Sequence, residues 1–323
     1  YCVFFLFMIE WIVIMKILTG TSQNLEYIGE EVKAGRIVAF PTDTVYGLGA
    51  SITQKNSIKR IFDVKERPVN SAVIVLIDKI ERVEELAYIE NPKAWDLMKE
   101  FWPGALTLLF PKKDIIDDII TAKGNSVGLR IPDNKIAVEL IKYSGGALAT
   151  PSANKTGHLS PTRAEHVAKQ FADGEIDFLV DGGKTEKAIE STILDMTKNP
   201  PLIIRNGGVS KEQIEKIIGR VDELSIKKKS EKNFLKEIKV VKREDFYMLS
   251  EDSILLAFTN IEKLSIKRVE ILSKNGDYEE AIKNLYDSLH NLLEEENSTI
   301  FVEELNENGL GKVIMERIQK IVK

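Results

Sequence analysis

The segment 36–50, RIVAFPTDTVYGLGA, constrains the fold more than any other part of the chain. Residues 37–40 are an apolar run that reads as a buried β-strand, and Pro41 ends it because proline has no donor to give a sheet ladder. Thr42, Thr44, Tyr46 and the pair Gly47 and Gly49 follow. A strand that ends in small hydroxyl residues and glycines offers side-chain and backbone donors at its carboxyl end, where open α/β sheets bind ligands. The two glycines are expected to take positive φ or to let the backbone approach a ligand closely. On this segment alone, a plain structural strand and turn is an equal reading.

The rest of the chain repeats the alternation of strand and helix that marks an α/β protein. Leu25, Ile28 and Val32 put one apolar face on a helix over 24–35, and a second helix is predicted over 56–64. Residues 72–77 are a continuous apolar run, as in a strand buried on both faces. Helical period runs over 80–101, and Trp102-Pro103-Gly104 breaks it. Strands are predicted over 105–110, 126–131, 147–150, 178–180, 191–195 and 201–205, and helices over 135–143 and 162–171. Further on, strands over 253–258, 268–272 and 299–302 with helices over 278–295 and 310–322 form a second, smaller α/β domain. The expected boundaries are 15–215 for the first domain, 216–236 for a linker and 237–323 for the second.

Residues 1–14 are strongly apolar and are read as an extension that does not belong to the fold. The run is shorter than the ~18 residues of a membrane span, contains Glu10, and has no basic segment ahead of it. Met15 and Lys16, followed by the strand-like Ile17 and Leu18, read as the natural start, and no membrane segment is expected. The single cysteine, Cys2, excludes an intramolecular disulfide and a Cys-based zinc site, and fits a reducing cytoplasm. His158, His166 and His290 lack the spacing of a histidine metal motif. A net charge of -5 argues against wholesale coating by nucleic acid. Residues 225–244 nevertheless carry eight Lys/Arg against three Asp/Glu. That stretch is either a solvated spacer or an RNA-facing strip.

Four clusters carry chemistry. Lys65-Glu66-Arg67-Pro68 sets two cations two residues apart, an arrangement that can neutralise a polyphosphate or simply decorate a surface. Thr150-Pro-Ser-Ala-Asn154 and Ser160-Pro-Thr162 gather hydroxyls and an amide after a strand, suited to phosphate or ribose, or to capping the next helix. Arg130 ends an apolar strand, and a buried arginine needs an anionic partner, either a protein carboxylate or a ligand. Glu190-Ser-Thr192 and Arg205-Asn-Gly-Gly208 add polar groups at strand edges. No Ser-His-Asp or Cys/His arrangement is evident. The implied chemistry is positioning and charge neutralisation, as in nucleotidyl transfer with Mg²⁺.

Taken together, AFPTDTVYGLGA, KERP, FWPGALTL, VGLRIPDN, ATPSANKTGHLSPT, DGG, ESTILD and IIRNGG resemble, in order, the motifs of the threonylcarbamoyl-AMP synthase family. They extend over residues 30–210. The tail is similar to the small C-terminal domain of the family's long members. The resemblance implies a YrdC-like twisted open mixed sheet with a deep cavity, plus a smaller Rossmann-like α/β domain. It implies that L-threonine, bicarbonate and ATP, with Mg²⁺, give threonylcarbamoyl-adenylate and pyrophosphate. A tRNA threonylcarbamoyl transferase would then use the adenylate to modify tRNA next to the anticodon, and contact with tRNA or double-stranded RNA is part of the same expectation. By motif, Thr44, Arg130, Thr150 and Ser191 are expected at threonine and the carbamoyl group. Lys65, Arg67, Ser71, Ser126, Ser152, Asn154, Ser160 and Arg205 are expected at ATP, with Lys65 and Arg67 the catalytic pair. Three features depart from the pattern: Leu76 stands where many long members have His, Ser71-Ala72-Val73 replaces Asn-Pro-Leu, and 209–250 lacks the His-Tyr-Ala-Pro linker motif. Two other readings remain open, a nucleotide- or RNA-binding module without synthase activity, and a carbamoyl-transfer domain of hydrogenase maturation. The lack of cysteines opposes the second.

Overall fold

The computed structural model describes residues 14–224, 237–261, 264–295, 299–306, 309–319 and 321. The expected extension, apart from Ile14, and most of the basic stretch at 225–244 lie outside these residues.

The first domain is built on β1 (Lys16–Thr19), β2 (Val38–Phe40), β3 (Gly47–Ser51), β4 (Val75–Ile77), β5 (Leu106–Pro111), β6 (Ser126–Arg130), β7 (Ala147–Ala149), β8 (Phe178–Asp181), β9 (Thr192–Asp195), β10 (Leu202–Arg205) and β11 (Asp222–Glu223). They form one mixed sheet in the order β1-β8-β2-β3-β7-β4-β6-β5-β9-β10-β11. Its helices are α1 (Ser22–Lys33), α2 (Lys55–Val64), α3 (Arg82–Leu86), α4 (Lys93–Phe101), α5 (Asp118–Thr121), α6 (Lys135–Tyr143), α7 (Ala164–Ala168) and α8 (Lys211–Ile218). On one face Leu25, Ile28 and Val32 of α1 pack with Leu140 and Ile141 of α6 against Val38, Phe40 and Leu76. On the other, Ile58, Ile61 and Phe62 of α2 and Leu97 and Met98 of α4 cover Tyr46, Leu48, Val75 and Leu129. The apolar face read on α1 is the face that is buried.

Three details differ from the sequence reading. The helical period over 80–101 is two helices, α3 and α4. Ala87 between them is extended and bridges Lys112, and Pro92, which pre-sets a helical φ, caps α4. Gly47 and Gly49 sit in β3, antiparallel to β2, and neither has a positive φ. Their missing side chains serve packing instead: a Cβ on Gly47 would lie 2.5 Å from Thr150 Cγ2, and one on Gly49 2.8 Å from the Phe40 ring. Lastly, α8 and β11 carry the first domain's sheet to residue 223, beyond the expected boundary at 215.

The second domain is a four-stranded parallel sheet, β12-β15-β13-β14, from β12 (Ile238–Val241), β13 (Ile254–Ala257), β14 (Arg268–Ile271) and β15 (Ile300–Glu303). Its main helices are α9 (Tyr278–Leu293) and α10 (Gly309–Gln319). Ala281, Leu285, Leu289 and Leu292 of α9 close the core over Ile254, Leu256, Ile300 and Val302. Val45, Leu159 and Ile189 of the first domain join that same cluster, so the two domains share apolar surface. Among the described residues, no helix is long and apolar enough to cross a membrane.

Candidate active site

The loop between β2 and β3 is folded by its own hydroxyls. Thr42 Oγ1 donates to the Val45 carbonyl at 2.7 Å, accepts from the Thr44 amide at 3.1 Å and lies 2.9 Å from Thr44 Oγ1. The Tyr46 hydroxyl donates to the Gly183 carbonyl at 2.8 Å and accepts from the Gly182 amide at 3.2 Å, so the DGG turn braces this loop. Arg130, at the end of β6, is fully enclosed. Its Nε donates to the Gly104 carbonyl at 2.8 Å, Nη1 to Thr44 Oγ1 at 2.9 Å, and Nη2 to the buried carboxylate of Asp43. The anionic partner that a buried arginine demands is thus within the chain. Of the five guanidinium protons, two remain for a ligand.

Lys65 and Arg67 diverge although only Glu66 separates them, because Glu66 takes a left-handed φ of 51°. Such a backbone is uncommon for a side chain other than Gly or Asn, and it tends to occur at working sites. Lys65, 1% exposed, donates to the carbonyls of Ser152 and Asn154, at 2.6 Å for Ser152. It thereby ties the end of α2 to the loop after β7. Arg67 donates from Nη2 to the Ala72 carbonyl at 2.9 Å, while its Nε is buried without a hydrogen-bond partner. Burial lowers the affinity of the Arg67 guanidinium for its proton.

Two adjoining cavities open here. One, of about 270 Å³, is lined by Thr44, Arg130, Thr150, Ser191 and Arg205 together with Leu76. The other, of about 190 Å³, is lined by Lys65, Asn154, Ser160, Tyr286 and Arg317. Arg67, Ser152 and Glu190 line both. The four residues expected at threonine therefore share the first cavity, and Lys65, Arg67, Ser152, Asn154 and Ser160 share the second. Arg205 lies apart from these five residues expected at ATP. It lines the first cavity, where Nε and Nη2 donate to the Ser191 carbonyl at 3.0 and 2.8 Å and Nη2 also reaches Ser191 Oγ at 3.0 Å. Ser71 and Ser126 line neither cavity. Ser126 opens β6, the strand that Arg130 closes, and pairs with Pro111 at the far end of the ladder.

Sequence reasoning placed Glu190 among strand-edge polar groups without giving it a role, and did not assign Asp43, Tyr286 or Arg317 to the site. Glu190 is its centre: Ser160 Oγ donates to Oε1 at 2.7 Å, Tyr286 Oη to Oε1 at 2.9 Å, and Arg317 Nε to Oε2 at 2.6 Å. Burial alone would raise the Glu190 carboxyl. Arg317 and Arg205, helped by Ser160, outweigh it and hold the group well below the usual carboxylate range. Burial likewise pushes Arg205 down to about 10, against the pull of Glu190. The signal for Arg317 was present in the sequence: it lies four residues after Val313 and three after Ile314, a charge in the apolar stripe of a helix.

The domains also meet at His166 of α7 and His290 of α9, whose rings stack with centroids 3.8 Å apart. Desolvation pushes both down to about 4, against Asp287 and with Arg163, Lys169 and Glu294 close by. Both are neutral in the folded protein and take up protons near pH 6.5 when unfolded. Stability is therefore full above pH 6.5 and falls as pH drops from 6.5 toward 4. Thermal unfolding from pH 7.5 to 4.5 should show a shallower acid loss for His290→Gln than for the wild type. An identical slope would remove the pair from the account.

The fold and site define a two-domain α/β protein of the YrdC-like class, with a divided, cation-lined cavity closed partly by the second domain. A family model described as "Telomere recombination", for Sua5, YciO and YrdC proteins, matches residues 30–207. Another, "Threonylcarbamoyl-AMP synthase, C-terminal domain", matches residues 221–321. The threonylcarbamoyl-AMP synthase of Pyrococcus abyssi is 35% identical, over 90% of this chain and 91% of that one. The enzyme of that name from Bacillus subtilis is also 35% identical, over 90% of each chain. A crystal structure of P. abyssi Sua5 complexed with L-threonine matches with a TM-score of 0.86 at 32% identity, covering 95% of this chain and 97% of that one. The chain belongs to the threonylcarbamoyl-AMP synthase family.

Proposed function

We propose that the divided cavity condenses L-threonine, bicarbonate and ATP, with the amino acid in the first cavity and the nucleotide in the second. The protein is a threonylcarbamoyl-AMP synthase, a nucleotidyltransferase that makes an adenylate from ATP. The observation that carries the division of labour is the shared wall: Arg67, Ser152 and Glu190 face both cavities. In the reaction the threonine amine takes up bicarbonate as a carbamate with loss of water. A carbamate oxygen then attacks the α-phosphorus, and pyrophosphate leaves. That carbon–oxygen–phosphorus bond forms where the two substrates meet, at the shared wall. There the Arg67 guanidinium can stabilise the charge that builds on the phosphorus oxygens. Arg130 and Thr44, held to each other, suit the carboxylate and hydroxyl of an amino acid.

Mg²⁺ enters this reading as the counter-ion of ATP. Magnesium sites commonly combine one or two carboxylates with substrate phosphates. The carboxylate at the shared wall, Glu190, is engaged by Ser160, Tyr286 and Arg317, and no group of three or more His, Cys, Asp and Glu side chains among the described residues could hold a metal. The product is a reactive mixed anhydride, and a tRNA threonylcarbamoyl transferase in the cytoplasm is the consumer we propose.

The test is pyrophosphate release by the purified chain with ATP, Mg²⁺, bicarbonate and L-threonine, with L-serine as control. Release that depends on both threonine and bicarbonate is expected. ATP binding without release would favour a nucleotide-binding module instead.

A further inference from the structure

Thr107 lines neither cavity, yet it stands behind the first of them. It is the only polar side chain in β5 and is 0% exposed. Leu106 and Leu108 on either side of it enter the core beneath α2 and α4. Side chains alternate along a strand, so Thr107 points to the opposite face of the sheet. There it is in register with Ile193 of β9, which lines the first cavity. A hydroxyl placed so, out of reach of solvent, needs a hydrogen-bond partner.

Among the described residues, the partner of Thr107 Oγ1 is Ser191 Oγ, at 2.7 Å. A buried hydroxyl whose proton goes undonated is costly. Ser191 lines the first cavity, so its own proton has a ligand to go to, whereas the Thr107 proton has only Ser191. Thr107 therefore donates and Ser191 accepts. Arg205 Nη2 donates to the same Ser191 oxygen at 3.0 Å. A serine hydroxyl has two lone pairs and one proton. With both lone pairs taken, Ser191 has its proton left to offer and acts as a fixed donor.

The Thr107 side chain is itself held. A Cβ on Gly128 of β6 would lie 3.1 Å from Thr107 Cγ2 and 3.3 Å from Ile74 Cγ2. The bare glycine thus leaves the space that the threonine methyl fills. A β-branched side chain is stiff about its first torsion, so seating the methyl there keeps the hydroxyl toward Ser191. From the other side Arg205 grips the Ser191 carbonyl through Nε and Nη2, at 3.0 and 2.8 Å. A donor braced on two sides before the ligand arrives loses little freedom on binding it.

We propose that Thr107 is a positioning residue for the amino-acid site, its hydroxyl fixing Ser191 as a hydrogen-bond donor toward the carboxylate of threonine. This rests on the assignment of the first cavity to the amino acid. A carboxylate is the ligand group that suits such a donor, because Arg130 and Arg205 line the same cavity. Thr107 touches no substrate and acts through Ser191 alone.

The test is equilibrium binding of L-threonine and, separately, of ATP to the full chain, with melting temperature recorded for every variant. Thr107→Val keeps the shape and removes the hydroxyl. It should weaken threonine binding about 3- to 10-fold, the worth of one hydrogen bond, and change ATP affinity less than about twofold. Thr107→Ser keeps the hydroxyl and should stay within about twofold of wild type for both ligands. If Thr107→Val fails to fold, Thr107→Cys against Thr107→Ser carries the test, since the thiol is a weak donor of similar size. Ser191→Ala should weaken threonine binding at least as much as Thr107→Val, and adding Thr107→Val to it should cost nothing further. Unchanged threonine affinity in the variant without the hydroxyl would overturn the proposal. So would equal losses in Thr107→Val and Thr107→Ser, which would show a packing role, or a Thr107→Val loss that persists in the Ser191→Ala background. A wild-type chain that binds ATP but no threonine would instead overturn the assignment of the first cavity on which the proposal rests.

Discussion

Arg67→Ala is expected to lower threonine-dependent pyrophosphate release by about 100-fold or more, the loss typical when one pre-organised donor at developing charge is removed. Its melting temperature should stay close to that of the wild type. The reason is the difference between two neighbouring cations. Lys65 is committed to the Ser152 and Asn154 carbonyls and so holds the loop after β7 in place. Arg67 is anchored at the Ala72 carbonyl, keeps a buried Nε without a hydrogen-bond partner, and lines both cavities. Lys65→Ala should therefore lose stability and activity together, whereas Arg67→Ala should lose activity alone. Pyrophosphate release and thermal unfolding measured on both variants check this. Equal destabilisation by the two, or an Arg67→Ala chain that still turns over within tenfold of wild type, would sink the assignment of Arg67 to the reacting phosphate.

What could be read from the sequence was mostly local. Thr42 and Thr44 after the apolar run that Pro41 ends, Ser152 and Asn154 after β7, and Arg130 at the end of β6 are polar groups at a strand's carboxyl end, and each lines a cavity. The missing parts depend on long-range pairing. Asp43 meets Arg130 across 87 positions, and no local pattern distinguishes that carboxylate from a turn aspartate. Glu190 is defined by Ser160, Tyr286 and Arg317, two of which arrive on another domain. Gly47 and Gly49 advertised positive φ, whereas the structure uses them for contact with Thr150 and Phe40. Ser126, carried over by motif, lines neither cavity. It is four residues from Arg130 on one strand, and a strand's rise of about 3.3 Å per residue puts the two some 13 Å apart. The helical period over 80–101 also misled, because periodicity alone does not reveal that Ala87 is drawn into a bridge with Lys112.

Arg130→Ala should have the largest effect on stability, about 3–5 kcal/mol, with loss of threonine binding. Removing one partner of a buried ion pair leaves the other uncompensated, and Asp43 is 0% exposed. Lys187 is a weak substitute, since its Nζ stands 3.9 Å from Asp43 Oδ2. The same variant also strips the Gly104 carbonyl and Thr44 Oγ1 of their donor, so the loop that forms the first cavity loosens. Stability and binding can be separated because their causes differ. In the double variant Asp43→Asn with Arg130→Met, no charge is left buried and the volume is filled, so most of the lost stability should return. Threonine binding should not return, since the guanidinium held against Thr44 is gone. Urea unfolding and L-threonine binding on the single and double variants decide the matter. A single variant as stable as wild type would mean that Asp43 finds water or another partner on losing Arg130. Threonine binding retained by the double variant would place the amino acid's carboxylate elsewhere in the cavity, with Arg205 beside Ser191 the nearest candidate to receive it.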